Sequence, residues 1–139
     1  LRGGATVSDP SLSFRVEPPG PVAVAATAAD VRRTIRARRL REQFFGAGLF
    51  EDPAWDMLLD LFAADLERTR VSVSSLCIAA AVAPTTALRW IQRMTDAGLF
   101  VREADPFDRR RAFLALSSAA RDGMLAYWSA AARLASPSG

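Results

Sequence analysis

Residues 71–117 read VSVSSLCIAAAVAPTTALRWIQRMTDAGLFVREADPFDRRRAFLALS, and the pattern changes period once along the way. Ser72, with Ser75 three places on, opens a short helix that holds Leu76, Cys77, Ala80 and Ala81. A serine oxygen suits that position because it accepts a free amide of the first turn. A turn at Val82-Ala83 follows. Pro84 then opens a second helix, which runs to Ala97 and stops at Gly98. Proline lacks only an N–H that the first helical position leaves unused, and glycine reaches the left-handed conformation that ends helices. On this helix Ala87, Trp90, Ile91 and Met94 fall at i, i+3, i+4 and i+7 and form one apolar face. Beyond Gly98 the period drops to two. Leu99-Phe100-Val101 predicts a strand, Asp105-Pro106-Phe107-Asp108 a turn, and Ala112 to Leu116 a second strand with Ala112, Leu114 and Leu116 on one face.

Working outward, a helix is expected from Thr27 or Ala28 to about Phe45, ended by Gly46 and Gly48. Another starts at Asp52-Pro53, a cap followed by proline, and ends near Glu67 to Arg70. Its Trp55, Leu58, Leu59, Phe62 and Leu66 form an apolar stripe, with Asp56, Asp60 and Asp65 expected mostly away from it on a solvated face. Ser117 or Ser118 caps a last helix carrying Met124, Leu125, Trp128 and Leu134, with Pro137 marking its end. Residues 1–26, rich in proline and glycine, read as a flexible tail or linker. The chain opens on Leu1 and not on Met, so a fragment, a processed chain or a tag remnant all stay open. The order helix, helix, helix, tight turn, helix, hairpin, helix describes a mainly α (α+β) winged helix-turn-helix. The domain is expected over 27–136, with the helix-turn-helix at 72–97 and the wing at 99–117.

Composition removes several function classes. The 139 residues fit one domain plus tails, half of them are apolar, and no apolar run reaches the roughly 20 residues of a membrane helix. Cys77 is the single cysteine, so an internal disulfide is excluded and a reducing cytoplasm is the expected location. Histidine is absent, which excludes His-based triads and His-containing zinc sites. Nothing supplies a nucleophile, a metal site or a cofactor motif, so a protein that is not an enzyme is expected. All 18 basic residues are arginine and the net charge is only +3, but the charges are segregated. Residues 31–45 carry six arginines against Glu42, residues 51–70 six acids against Arg68 and Arg70, and residues 84–121 seven arginines against four acids.

The stretch 71–117 resembles the DNA-binding lobe of MarR-type regulators of bacteria. Met94, Gly98, Leu99, Val101 and Arg102 stand where that family has L-x-x-x-G-L-x-x-R, and Asp108, Arg110, Leu116 and Ser117 match D-x-R, a strand, then L-[ST]. The likeness is tight over about a third of the chain and only topological over the flanking helices. Two positions depart from the pattern: Ala81 where the turn often has glycine, and Ala83 where the recognition helix often has a serine cap. The resemblance implies double-stranded DNA as partner, a homodimer, and transcription regulation. It also implies that Arg110, two places after the wing aspartate, enters the minor groove.

The residues themselves agree with that implication. The apolar face of the helix after Pro84 leaves Thr85, Thr86, Arg89, Gln92 and Arg93 on the open side, with Leu88 at the margin. Short polar groups and guanidiniums there suit base edges and phosphates. Arg109, Arg110 and Arg111 crowd the wing, where a guanidinium suits the negative potential of a narrow groove. The DNA-contact candidates are therefore Thr85, Thr86, Arg89, Arg93, Arg109 and Arg110, with Asp108 bracing the turn or an arginine. The arginines of the first helix could touch phosphates, pair with the acidic helix or keep the helix soluble; a structural role outweighs the first. Cys77, on an apolar face with no adjacent cation, reads as packing and not as a redox sensor. Trp55, Trp90 and Trp128 read as core or dimer packing. Spare apolar residues near the first helix (Ile35, Leu40, Phe44, Phe45) and on the last (Leu125, Tyr127, Trp128, Leu134) are the expected dimer surface. The rival reading is a winged helix kept as a protein-interaction or dimerisation module of a longer regulatory protein, without DNA binding. No residue pattern points to a small-molecule effector.

Overall fold

In a computed structural model describing residues 25–135, five helices surround a small three-stranded sheet. They are α1 (Ala28–Phe45), α2 (Pro53–Glu67), α3 (Val73–Ala79), α4 (Pro84–Asp96) and α5 (Ser118–Ala135). The strands are β1 (Val71–Ser72), β2 (Phe100–Ala104) and β3 (Ala112–Leu116). Residues 1–24 of the expected tail and Pro137 lie outside the described residues; Ala26 packs against the core.

The helix starts follow from local chemistry. Thr27 Oγ1 accepts from the Asp30 N–H at 3.1 Å, Asp52 Oδ1 from the Trp55 N–H at 3.4 Å, Ser72 Oγ from the Ser75 N–H at 3.1 Å, and Ser117 Oγ from the Ala120 N–H at 3.1 Å. Among the described helices only α4 starts without a side-chain cap, on Ala83-Pro84. Gly98, at φ 82°, ends α4 and lets the Leu99 N–H reach back to the Met94 carbonyl at 2.9 Å.

The sheet order is β1-β3-β2, antiparallel throughout, with Val71 opposite Leu114 and Phe100 opposite Leu116. β1 was not expected from the sequence: two residues cannot show an alternation, and the strand exists only because β3 offers it an edge. β2 also runs past the expected Val101, through Arg102, Glu103 and Ala104, whose exposed side chains hide the period.

The core sits around α2, which touches α1, α3, α4, α5 and β3. Met57, Leu59, Leu61, Phe62, Ala63 and Ala64 are all buried, so α2 is covered on more sides than one stripe requires. Of the expected stripe, Leu59 and Phe62 are fully buried, while Trp55, Leu58 and Leu66 are only partly covered. The expected solvated face of α2 is corrected outright. Asp56 is buried at 6% exposure; its Oδ1 accepts from Arg38 Nε at 2.6 Å and its Oδ2 from Arg39 Nη2 at 2.9 Å. Asp60 pairs with Arg32 at 2.8 Å, and Asp65 with Arg121 of α5 at 2.6 Å. Arg32 also forks onto Glu67, and this bond holds the Glu67 carboxyl below its usual range. Asp56 and Asp60 lie to one side of the apolar stripe, where the arginine face of α1 covers them, while Asp65 sits on another side of the helix and meets Arg121 of α5.

Ala81 has φ 58° in the turn between α3 and α4, a left-handed position where a Cβ is strained. Ala81→Gly should therefore raise stability by about 0.5–1 kcal/mol, the relieved strain exceeding the extra freedom of the unfolded chain. A denaturation midpoint lowered by this substitution would show that the strain at Ala81 is smaller than the extra freedom glycine gives the unfolded chain.

Candidate nucleic-acid interface

The tight α3–α4 turn and the α4–β2 turn at Gly98 aim α4 so that one face is buried and the other is open. Ala87, Ile91 and Met94 are buried, and Trp90 is half-buried. Thr85, Arg89 and Arg93 are exposed, and Thr86 is half-buried. Gln92 donates its amide to Asp96 Oδ1 at 2.9 Å, along the helix. The Arg93 guanidinium lies over the Trp90 ring, 4.8 Å from its centroid, which holds an otherwise loose side chain against the helix. Arg89, Trp90 and Arg93 line a shallow depression of about 350 Å³ on this face.

The wing is braced by its two aspartates. Asp108 Oδ1 accepts from the Arg110 backbone N–H at 3.0 Å and from Arg110 Nε at 3.2 Å. Those two bonds, the backbone one first, hold the Asp108 carboxyl below the usual range. The expected bracing role is met twice over, on the turn and on the arginine. Arg110 is nonetheless 90% exposed, so its outer nitrogens stay open to a partner. Arg109 is exposed as well.

The α4 start and the wing share a second, open groove of about 630 Å³. Cys77, Ile78, Pro84 and Leu88 contribute apolar lining, and Arg102, Arg110 and Arg111 bring three guanidiniums to the same groove. Arg102 and Arg111 were not among the expected contacts. Arg111 sits in the same arginine run as Arg110, and Arg102 is the terminal arginine of the strand motif, so the signal was present. Arg70 had no such signal: only the pairing of β1 with β3 brings it over the Phe113 ring, 5.0 Å from its centroid, with Arg111 5.4 Å from the same ring. Burial pushes the Cys77 thiol pKa up, away from the reactive thiolate.

The three arginines of α1 that face α2 are spent on its acids. Arg32, Arg38 and Arg39 all pair within the fold. The basic stretch at 31–45 and the acidic stretch at 51–70 thus neutralise one another in part, with Arg33 and Arg36 still exposed on α1 and further outward positive charge on α4 and the wing.

Comparison by sequence finds no matching family model and no matching curated protein. Comparison by structure finds a winged helix-turn-helix with flanking helices. The S. aureus MepR, solved in a DNA-binding conformation, is similar at TM-score 0.52 and 18% identity, over 78% of this chain and 80% of that one. Heme-free PefR is similar at TM-score 0.51 and 11% identity, over 76% and 87%. A Mycobacterium tuberculosis protein is similar at TM-score 0.51 and 18% identity, over 83% and 82%. These likenesses establish the fold, which is the one that the 71–117 motifs imply. Among the described residues no single helix is long and apolar enough to cross a membrane.

Proposed function

We propose that this chain is a MarR-like transcriptional regulator, a cytoplasmic homodimer that binds double-stranded DNA and is not an enzyme. In this reading α4 enters the major groove through Thr85, Thr86, Arg89 and Arg93, and the wing enters the minor groove through Arg109 and Arg110. The observation that carries it is that α4 turns its open face, with Thr85, Arg89 and Arg93 exposed, outward beside a wing whose Arg109 and Arg110 are exposed as well, as a helix and a wing that enter adjacent grooves require. The structural likeness to MepR, solved in a DNA-binding conformation, supports the same reading. A fluorescence titration with mixed duplex DNA at two salt concentrations tests it. Salt-sensitive binding is expected, and its absence would leave the rival module without DNA binding, which the exposed Leu40, Phe44, Phe45 and Leu49 also favour.

The two classes of arginine should behave differently. Arg110→Ala should weaken binding to all sequences about equally and lower the log–log salt slope by about one, because a phosphate- or groove-directed charge is lost. An unchanged slope would remove Arg110 from the interface. Arg89→Ala should cost about 1–3 kcal/mol on the preferred site and relax one base position. Selection on random DNA measures this directly; the same preferred site for variant and parent would mean that Arg89 reads no base.

A further inference from the structure

The wing hairpin contains three phenylalanines, and two of them are covered by their own chain. Phe100 is buried in the core, and Phe113 lies under the guanidiniums of Arg70 and Arg111. Phe107, at the apex, is 96% exposed. A lone exposed apolar side chain is common on protein surfaces, so exposure alone means little. Its setting is what distinguishes it. The Phe107 N–H donates to Asp105 Oδ1 at 2.8 Å, the Asp105 N–H to the Arg111 carbonyl at 3.2 Å, and the Arg111 N–H to the Asp108 carbonyl at 3.0 Å. Pro106 before it has a fixed φ. The backbone that presents the ring is therefore ordered before any partner arrives, which lowers the cost of binding. The three residues after Asp108 are arginines, all exposed.

We propose that Phe107 is an apolar wedge that enters between adjacent base pairs of duplex DNA from the minor groove and bends it. The inference rests on the duplex-binding reading above and adds to it a residue that selects sequence through deformability. The chemistry favours this occupant over an apolar pocket on another protein. The wing around the ring carries Arg109, Arg110 and Arg111 against Asp105 and Asp108, a net positive tip that favours a polyanion, and a base step is the apolar surface that lies between two rows of phosphates. Side chains of this kind part a base step and kink the helix by about 20–90°. Pyrimidine–purine steps part most easily, so the wedge sets a preference for TA or CA/TG where no side chain reads a base edge.

The test uses a duplex recovered by selection on random DNA, with 2-aminopurine placed at successive positions and donor and acceptor dyes at the ends. The full chain should raise 2-aminopurine emission at one step and bring the ends closer. Phe107→Ala should still bind with an unchanged salt slope, since no charge is lost, but lose the emission rise, most of the bend and the preference for that step. Phe107→Leu should keep most of all three. Binding without any emission rise or bend, or a Phe107→Ala variant that retains both, would overturn the wedge while leaving duplex binding intact. Absence of salt-sensitive binding by the parent chain would overturn both.

Discussion

Asp56→Ala should destabilise the fold by about 3–5 kcal/mol, the largest effect expected of any charged side chain among the described residues. Asp56 is buried and accepts one guanidinium bond from each of Arg38 and Arg39. Removing it strands the Arg38 cation at the α1–α2 contact, where its buried Nη2 already lacks a hydrogen-bond partner and Asp52 Oδ2 stands 3.8 Å away, while Arg39 keeps Glu42 at 2.8 Å. The loss of Coulomb attraction is the smaller part of the penalty. The larger part is leaving desolvated charge uncompensated, which is why breaking a buried pair costs more than the pair contributes. The same logic fixes the control. Replacing Asp56, Arg38 and Arg39 together by Leu, Met and Met should recover most of the loss, because apolar packing then substitutes for the whole charged group. Urea denaturation measures both variants. A cost for Asp56→Ala below about 1 kcal/mol, the range of exposed ion pairs, would mean that water reaches the contact freely.

The second large effect concerns assembly. Phe44→Asp should convert the proposed dimer to a monomer and lower affinity for a two-half-site duplex by about 10²–10⁴, the factor that linked binding supplies. A single winged helix presents one α4 and one wing, little surface for a specific site. Two copies related by a two-fold axis place two α4 helices on half-sites about 34 Å apart. Phe44 is 73% exposed and Phe45 67%, Leu40 shares the α1 face of Phe44 four residues away, and Leu49 is exposed in the loop that follows. The edge contact between Trp55 and Tyr127, at 4.9 Å, brings α5 beside this corner, and α5 adds the exposed Leu134. Light scattering at micromolar concentration measures the state. Leu134→Asp gives a second probe that leaves the core untouched, unlike a change at Trp128, which packs on Phe62 at 6.0 Å. A parent chain that is monomeric and binds DNA as tightly as Phe44→Asp would reject the dimer.

Much of this architecture was legible in residues 71–117. The serine, proline and glycine positions act locally: Ser72 caps through its own oxygen, Pro84 enters a helix, and Gly98 leaves one at a φ that only glycine adopts freely. Period decided the rest, since Ala87, Ile91 and Met94 can be buried together only on a helix, and Leu114 and Leu116 only on a strand. The open face of α4 with Arg89 and Arg93, and the arginines of the wing, follow from the same patterns. What the sequence could not determine were the partners of charged groups. The three aspartates of α2 looked like a solvated face, and the six arginines of α1 left open whether they touch phosphates, pair with the acidic helix or stay solvated, because charge pattern along a helix is the same whether water or another helix covers it. Only the packing of α1 on α2 made Asp56 a buried acceptor and withdrew Arg32, Arg38 and Arg39 from the surface. β1 has the same origin: two residues carry no periodic signal, and Val71-Ser72 became a strand, bringing Arg70 over Phe113, because β3 had an unpaired edge. Local structure was written in short-range chemistry; which charges face outward was decided by contacts between residues far apart in the chain.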